Sequence, residues 1–302
     1  MSKSLLSLGE CMVELSLTAS GDYARGFAGD TFNAAWYARR LLPADWTVAY
    51  GSCIGTDAVS DEMSAFIAGE GIDTATLRRL PDRTVGLYMI SLRDGERSFS
   101  YWRGQSAAKM LADNPDWLAA TLQGRDIIHF SAITLAILSP DHRTAFCDAL
   151  RHARANGSLI AFDTNLRPRL WDGTDAMRAG VMLGASVADI VLPSFDEETG
   201  LWGDTSAADT IARYRQAGAS RVVVKDGGGP VTFWSADHGT RQHPAAKVAQ
   251  IVDTTAAGDS FAGGFLAHLA MGETEDQAVQ AAMALAAKVI QSRGALVPAI
   301  FA

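Results

Sequence analysis

The 302-residue chain is 48% hydrophobic with a formal charge of −8, enough apolar material for a large core and no basic excess of the kind a nucleic-acid surface draws on to displace phosphate counterions. No run approaches the ~20 apolar residues of a membrane helix, and Gly9 and Glu10 interrupt the apolar start before a signal-peptide core develops, so a cytoplasmic protein with no membrane partner is expected. The three cysteines, Cys11, Cys53 and Cys147, stand too far apart for a zinc or redox motif and read as buried free thiols.

In chain order, residues 8–17 with 23–27 read as a first antiparallel ribbon, followed by a helix over 31–42, a strand at 47–53 and a helix over 57–69. A second ribbon follows, 85–93 with 98–103, joined by the turn-forming Asp94-Gly95-Glu96. Apolar runs at 126–130, 159–162, 190–192 and 221–224 have the length of buried parallel strands. Helical periodicity covers 140–156, 207–217, 258–271 and 274–292, and Gly71, Gly157 and Gly218 stand just past helix ends, where a left-handed cap is cheap. Strands alternating with helices predict an α/β chain: a three-layer α/β/α core around a mostly parallel central sheet. The ribbons, at about 8–27 and 85–103, read as a small β lid over a substrate cleft, with a sheet extension or dimer contact as the alternative. Residues 1–302 contain no repeat or linker and read as one domain.

Chemistry concentrates in Asp253-Thr-Thr-Ala-Ala-Gly-Asp-Ser-Phe-Ala-Gly-Gly-Phe, where a loop of small residues runs straight into a helix. Free N–H groups at Ala256, Ala257, Gly258 and Asp259 make a positive pocket suited to a phosphoryl group. Asp259 is either a first-turn acid favoured by the helix dipole, worth about 0.3–1 kcal/mol, or the base that accepts the proton of an attacking hydroxyl. Phosphoryl transfer goes through a loose transition state in which proton removal can come late, so even a weak base serves if it is well placed. Gly263 and Gly264 inside the helix each cost roughly 0.5–1 kcal/mol against alanine, a sign of close packing or a ligand.

This segment resembles the C-terminal signature of the ribokinase-like, or phosphofructokinase-B, carbohydrate kinases, and Gly29-Asp30-Thr31-Phe32-Asn33-Ala34-Ala35 resembles their glycine-rich N-terminal signature. The likeness spans the chain. It implies the ribokinase-like fold, ATP and Mg2+ as cofactors, Asp259 as catalytic base and an anion hole at Ala256, Ala257 and Gly258. It also implies that Gly29, Asp30 and Asn33 hold substrate hydroxyls, with a helix-capping turn as the alternative. Lys225-Asp226-Gly227-Gly228-Gly229 follows a buried strand and reads either as a hairpin turn or, by the resemblance, as part of the ATP site through Lys225, Gly227 and Gly229 beside Gly258. Asn165 and Arg167 match positions near nucleotide and phosphate, Arg167 as a catalytic cation or a surface arginine paired with an acid. The family's Asn-x-x-Glu motif becomes Ser194-Phe195-Asp196-Glu197, which leaves Glu197 to organise Mg2+ through water or to be an ordinary first-turn acid. The carbonyls of residues 254–256 offer a place for a monovalent cation, and Ala286, Ala287 and Ile290 a wall for adenine or simply core.

Within the family, Gly9-Glu10, Tyr101-Trp102-Arg103 with Ser106-Ala107-Ala108, and Asp163-Thr-Asn-Leu-Arg are most similar to the members acting on 2-keto-3-deoxygluconate. The implied reaction phosphorylates its terminal hydroxyl, giving 2-keto-3-deoxy-6-phosphogluconate. Tyr88, Tyr101, Arg103 and Arg167 are the residue types such a substrate needs, since arginine grips a carboxylate in fork geometry and tyrosine orients it. A ribbon whose aromatic face packs at a contact is the alternative for 101–103. Rival functions are a fructokinase or other sugar kinase of the family, and a non-catalytic nucleotide-binding regulator. A homo-oligomer is expected.

Overall fold

The structure, a computed structural model, describes residues 3–18, 20–93, 96–245 and 247–302. The N-terminal half runs β1 (Lys3–Leu8), β2 (Met12–Leu17), β3 (Tyr23–Ala28), α1 (Asp30–Leu41), β4 (Trp46–Ile54), α2 (Ala58–Gly69), β5 (Leu77–Arg79), β6 (Gly86–Arg93) and β7 (Glu96–Trp102). Next come α3 (Pro115–Leu122), β8 (Ile127–Ser131), α4 (Ala132–Ile137), α5 (Pro140–Ala155), β9 (Leu159–Asp163), α6 (Thr174–Val187), β10 (Ile190–Leu192), α7 (Phe195–Trp202) and α8 (Ala207–Gln216). The chain closes with β11 (Arg221–Val224), β12 (Val231–Ser235), β13 (Gly239–His243), α9 (Ala257–Ala270) and α10 (Glu275–Val289).

A nine-stranded sheet in the order β13-β12-β11-β10-β9-β8-β1-β4-β5 forms the centre. It is parallel from β11 to β5, and only β12 and β13 run antiparallel. Because strand side chains alternate between faces, neighbouring residues enter different cores. Leu5 packs with Phe32, Met63, Phe265 and Val279 of α1, α2, α9 and α10, whereas Leu6 packs with Leu118, Phe146, Val181 and Ile211 of α3, α5, α6 and α8. This is the three-layer arrangement the strand and helix rhythm predicts.

The sequence places residue 8 in the first ribbon, but Leu8 ends β1, a central strand paired with β4 and β8. Its Leu and Ser residues alternate too irregularly to read as a buried strand. Ser7 is tolerated there because its hydroxyl donates to the Thr31 carbonyl at 2.7 Å and lies 2.9 Å from His129 Nδ1. The ribbon begins instead at Met12. Antiparallel β2–β3 and β6–β7 join through parallel β2–β6 pairing into one four-stranded sheet; the turn residues Asp94 and Gly95 lie outside the described residues. Helices α3, α4, α6 and α7 are additional to those predicted. In α6 the buried face is marked by glycines rather than large apolar residues: a Cβ on Gly180 would lie 2.2 Å from Trp171, and one on Gly184 2.8 Å from Phe162.

Packing also accounts for the two glycines of α9. A Cβ on Gly263 would sit 2.3 Å from the Ala34 carbonyl oxygen, and one on Gly264 3.0 Å from Leu285 Cδ2. These glycines let α9 press against α1 and α10, so the start of α9 is held over the carboxyl end of the sheet. That edge, where strand order reverses around β1, is where open α/β sheets collect ligands.

Candidate active site

Four strand ends and two helix starts converge here. Ala256 caps α9 in the left-handed conformation, φ 58° and ψ 17°, with no side-chain cap; for a residue with a Cβ this stores roughly 1–2 kcal/mol. Asp253 holds the approach, accepting from the Thr255 amide and hydroxyl at 3.0 and 2.7 Å and from the Gly294 amide at 2.8 Å. The strained cap lets α9 start abruptly. The Ala257 amide bonds back to Thr254 at 3.2 Å, while the Gly258 and Asp259 amides have no partner among the described residues, as the first turn of a helix leaves them.

Asp259 projects from this first turn and accepts the Asn33 side-chain amide at 2.8 Å. The free amides of α9 and the Gly29 to Asn33 loop therefore meet at one carboxylate. Gly29 is needed because a Cβ there would fall 2.1 Å from the Glu10 carbonyl oxygen. The Asp259 carboxyl is pushed up to about 7, first by burial and then by the negative charge of Asp30, with Asp163 adding to the rise, while the Asn33 hydrogen bond and the Arg167 charge oppose it. A carboxylate tuned to neutrality beside free amides can take up a proton when an adjacent oxygen attacks an anion.

Asn165 sits against the Gly29 to Asn33 loop. With φ at 20°, it donates its side-chain amide to Asp30 at 2.9 Å, and its backbone amide reaches Asp163 at 3.3 Å. Arg167 is exposed and pairs with Glu197 at 2.9 Å. Glu197 also accepts the Leu166 amide at 2.9 Å, and burial raises its proton affinity. Ser194 precedes α7 without capping it and bridges Lys225 through the backbone. The 225–229 segment is a hairpin connection between β11 and β12, with Gly227 at φ 47° and exposed. Lys225, at its base, is instead buried against Asp163 at 3.0 Å.

The smaller sheet contributes from the other side. Arg103, just beyond β7, pairs with the buried Glu10 between β1 and β2. Tyr88 donates its hydroxyl to Glu14 across the β2–β6 pair. Tyr101 is half exposed, with its ring centre 5.9 Å from the Arg103 guanidinium. Glu10 and Asp163 lie inside motifs that the sequence singles out without assigning either a task, and Glu14 lies in none; a charged residue closing an apolar strand, as Asp163 does, is the signal that marks it.

Comparison with known proteins agrees with this geometry. The profile described as pfkB family carbohydrate kinase matches residues 2–300. The 2-dehydro-3-deoxygluconokinase of Escherichia coli K12 is 40% identical, covering 99% of this chain and 98% of that protein, and the Vibrio alginolyticus fructokinase is 30% identical over 73% and 70%. Among solved structures, the Xylella fastidiosa fructokinase with bound ATP superimposes with a TM-score of 0.84 at 26% identity, covering 98% of this chain and 94% of that one. A ribokinase-like core, a carboxylate at the free amides of α9 and a match along almost the whole sequence lead to one conclusion: the chain belongs to the pfkB family of carbohydrate kinases.

Proposed function

We propose that the chain transfers the γ-phosphoryl group of ATP to the terminal hydroxyl of 2-keto-3-deoxygluconate, giving 2-keto-3-deoxy-6-phosphogluconate and ADP. The observation that carries this is the Asn33–Asp259 hydrogen bond at the start of α9, because it puts the base in contact with both the hydroxyl-binding loop and the anion hole. Asp30, Asn33 and Gly29 would orient the acceptor. Its hydroxyl oxygen forms the new bond to phosphorus as the bond to the β-phosphate oxygen breaks, and Asp259 takes the hydroxyl proton. The amides of Gly258 and Asp259 then face the charge on the moving group.

Arg103 is our candidate for the acceptor's carboxylate. Its Nε and the Glu10 Oε1 are both buried without a partner among the described residues, a situation that costs about 1–3 kcal/mol per group and that a polar substrate would relieve. Tyr88, Tyr101 and the smaller sheet would then close over it as a lid. Exposed Phe99, Tyr101 and Trp102 suit contact with a second copy in a homo-oligomer.

ATP is proposed on the likeness to the Xylella fructokinase, with Lys225, Gly227 and Gly229 on the nucleotide side. The donor set suits Mg2+ carried by the nucleotide's phosphates and water: Glu197 is committed to Leu166 and Arg167, and no group of three or more metal-binding side chains occurs among the described residues. Bound there, the ion would neutralise phosphate charge, with Glu197 behind a water.

A neutral sugar is the second reading, favoured by the Glu10–Arg103 pair, in which the guanidinium already has a carboxylate partner. Turnover measured across keto acids, sugar acids, fructose and ribose with ATP separates the two. The keto-deoxy acid should give the highest kcat/KM; a higher value for fructose or ribose removes it.

A further inference from the structure

Lys225 directly follows β11 and Asp163 ends β9, and between them lies an ion pair of 3.0 Å whose side chains are 10% and 5% exposed. The lysine ammonium also lies 3.6 Å from the position a Cβ would take on Gly258. A cation is therefore buried against the start of α9, the positive pole of the helix, where cations are disfavoured. Burial adds a desolvation cost, which a single carboxylate rarely offsets in full. Asp163 is moreover shared: the same oxygen accepts the Asn165 amide at 3.3 Å. Its charge also acts on Asp259, whose proton affinity it raises.

Positive groups thus accumulate at one point. Two free amides of α9 and an ammonium with three donors, of which Asp163 takes one among the described residues, lie together beside the Asp163 and Asp259 carboxyls. The exposed glycines of the following hairpin do not explain this, since Lys225 turns inward, away from them.

We propose that Lys225 contacts the phosphoryl group as it transfers, supplying the positive charge that the free amides alone do not, and that Asp163 is the positioning residue that holds the ammonium at the start of α9. The assignment rests on the phosphoryl-transfer reading of the site. No proton moves to or from Lys225 in this step; it remains an ammonium and acts by charge.

The test compares Lys225→Met, Lys225→Arg and the double variant Lys225→Met/Asp163→Asn, with ATP and 2-keto-3-deoxygluconate. Removing one preorganised donor from a reacting oxyanion lowers kcat about 10²–10³-fold, so Lys225→Met should lose that much with the acceptor's KM within about threefold. Lys225→Arg should recover at least about tenfold of the loss. The double variant removes the carboxylate that Lys225→Met leaves buried and unpaired, so its Tm should return toward wild type while kcat stays low. Recovery of kcat together with Tm in the double variant, or a kcat for Lys225→Met within about threefold of wild type, overturns the assignment and leaves the kinase reading standing. Absence of turnover in the wild type overturns both.

Discussion

The start of α9 and the base of the smaller sheet both bury carboxylates, yet they treat them in opposite ways. At α9, Asp259 has the charges of Asp30 and Asp163 nearby, and its side-chain hydrogen bond comes from the neutral Asn33 amide. At the smaller sheet, Glu10 is matched with Arg103 and Glu14 accepts the Tyr88 hydroxyl. A carboxylate crowded by its own kind keeps its proton up to neutral pH and can exchange it during a reaction. A matched carboxylate is fixed in place, which suits recognition. On the proposed function, the first end would carry the chemistry and the second the selectivity; Asn33 and Asn165 tie the Gly29 to Asn33 loop to Asp259 and to the end of β9.

The strongest way to break that division is Asp259→Asn, which preserves the Asn33 contact distance but not the base. We expect kcat to fall by about 10²–10⁴-fold, with nucleotide affinity within about threefold. Activity within tenfold of wild type would show that the crowded carboxylate is structural. A smaller effect belongs to the matched end: Arg103→Ala should raise the Michaelis constant for the keto acid about tenfold or more while altering kcat less. An unchanged constant would move the carboxylate site elsewhere.

The smallest expected effect sharpens the comparison most directly. Wild-type kcat/KM should decline as pH falls through about 7, because the base is then protonated. The Asp30 charge favours protonated Asp259, so Asp30→Asn should let the base ionise at lower pH and shift the acid limb downward, by up to about one pH unit. A pH–rate profile checks the sign. A limb that stays put or moves upward would remove Asp30 as the source of the crowding.

Much of this site was legible before any coordinates, because its motifs are local. The small-residue loop entering a helix, the Gly29 to Asn33 turn and the strand-end position of Arg167 are each properties of a few consecutive residues. Context is what a local pattern lacks. Asn165 has a left-handed backbone that turns its side-chain amide to Asp30, a contact between residues 135 apart. Gly263 and Gly264 suggested either packing or a ligand, and only the approach of Ala34 and Leu285 chooses packing. Leu8 was joined to the ribbon because the break at Gly9 and Glu10 is shorter than a usual connection.

By itself, the sequence determined the layered α/β architecture, since periods of two and of 3.6 are written in neighbouring residues and decide which side of a strand or helix seeks a core. It also put a carboxylate in the first turn of α9, after a loop of small residues. The tertiary structure alone decided the charge around that carboxylate. Asn33 reaches Asp259 across 226 residues, and Glu10 reaches Arg103 across 93. Coulomb energy depends on separation in space and on local burial, and neither exists until the strand ends have been packed side by side.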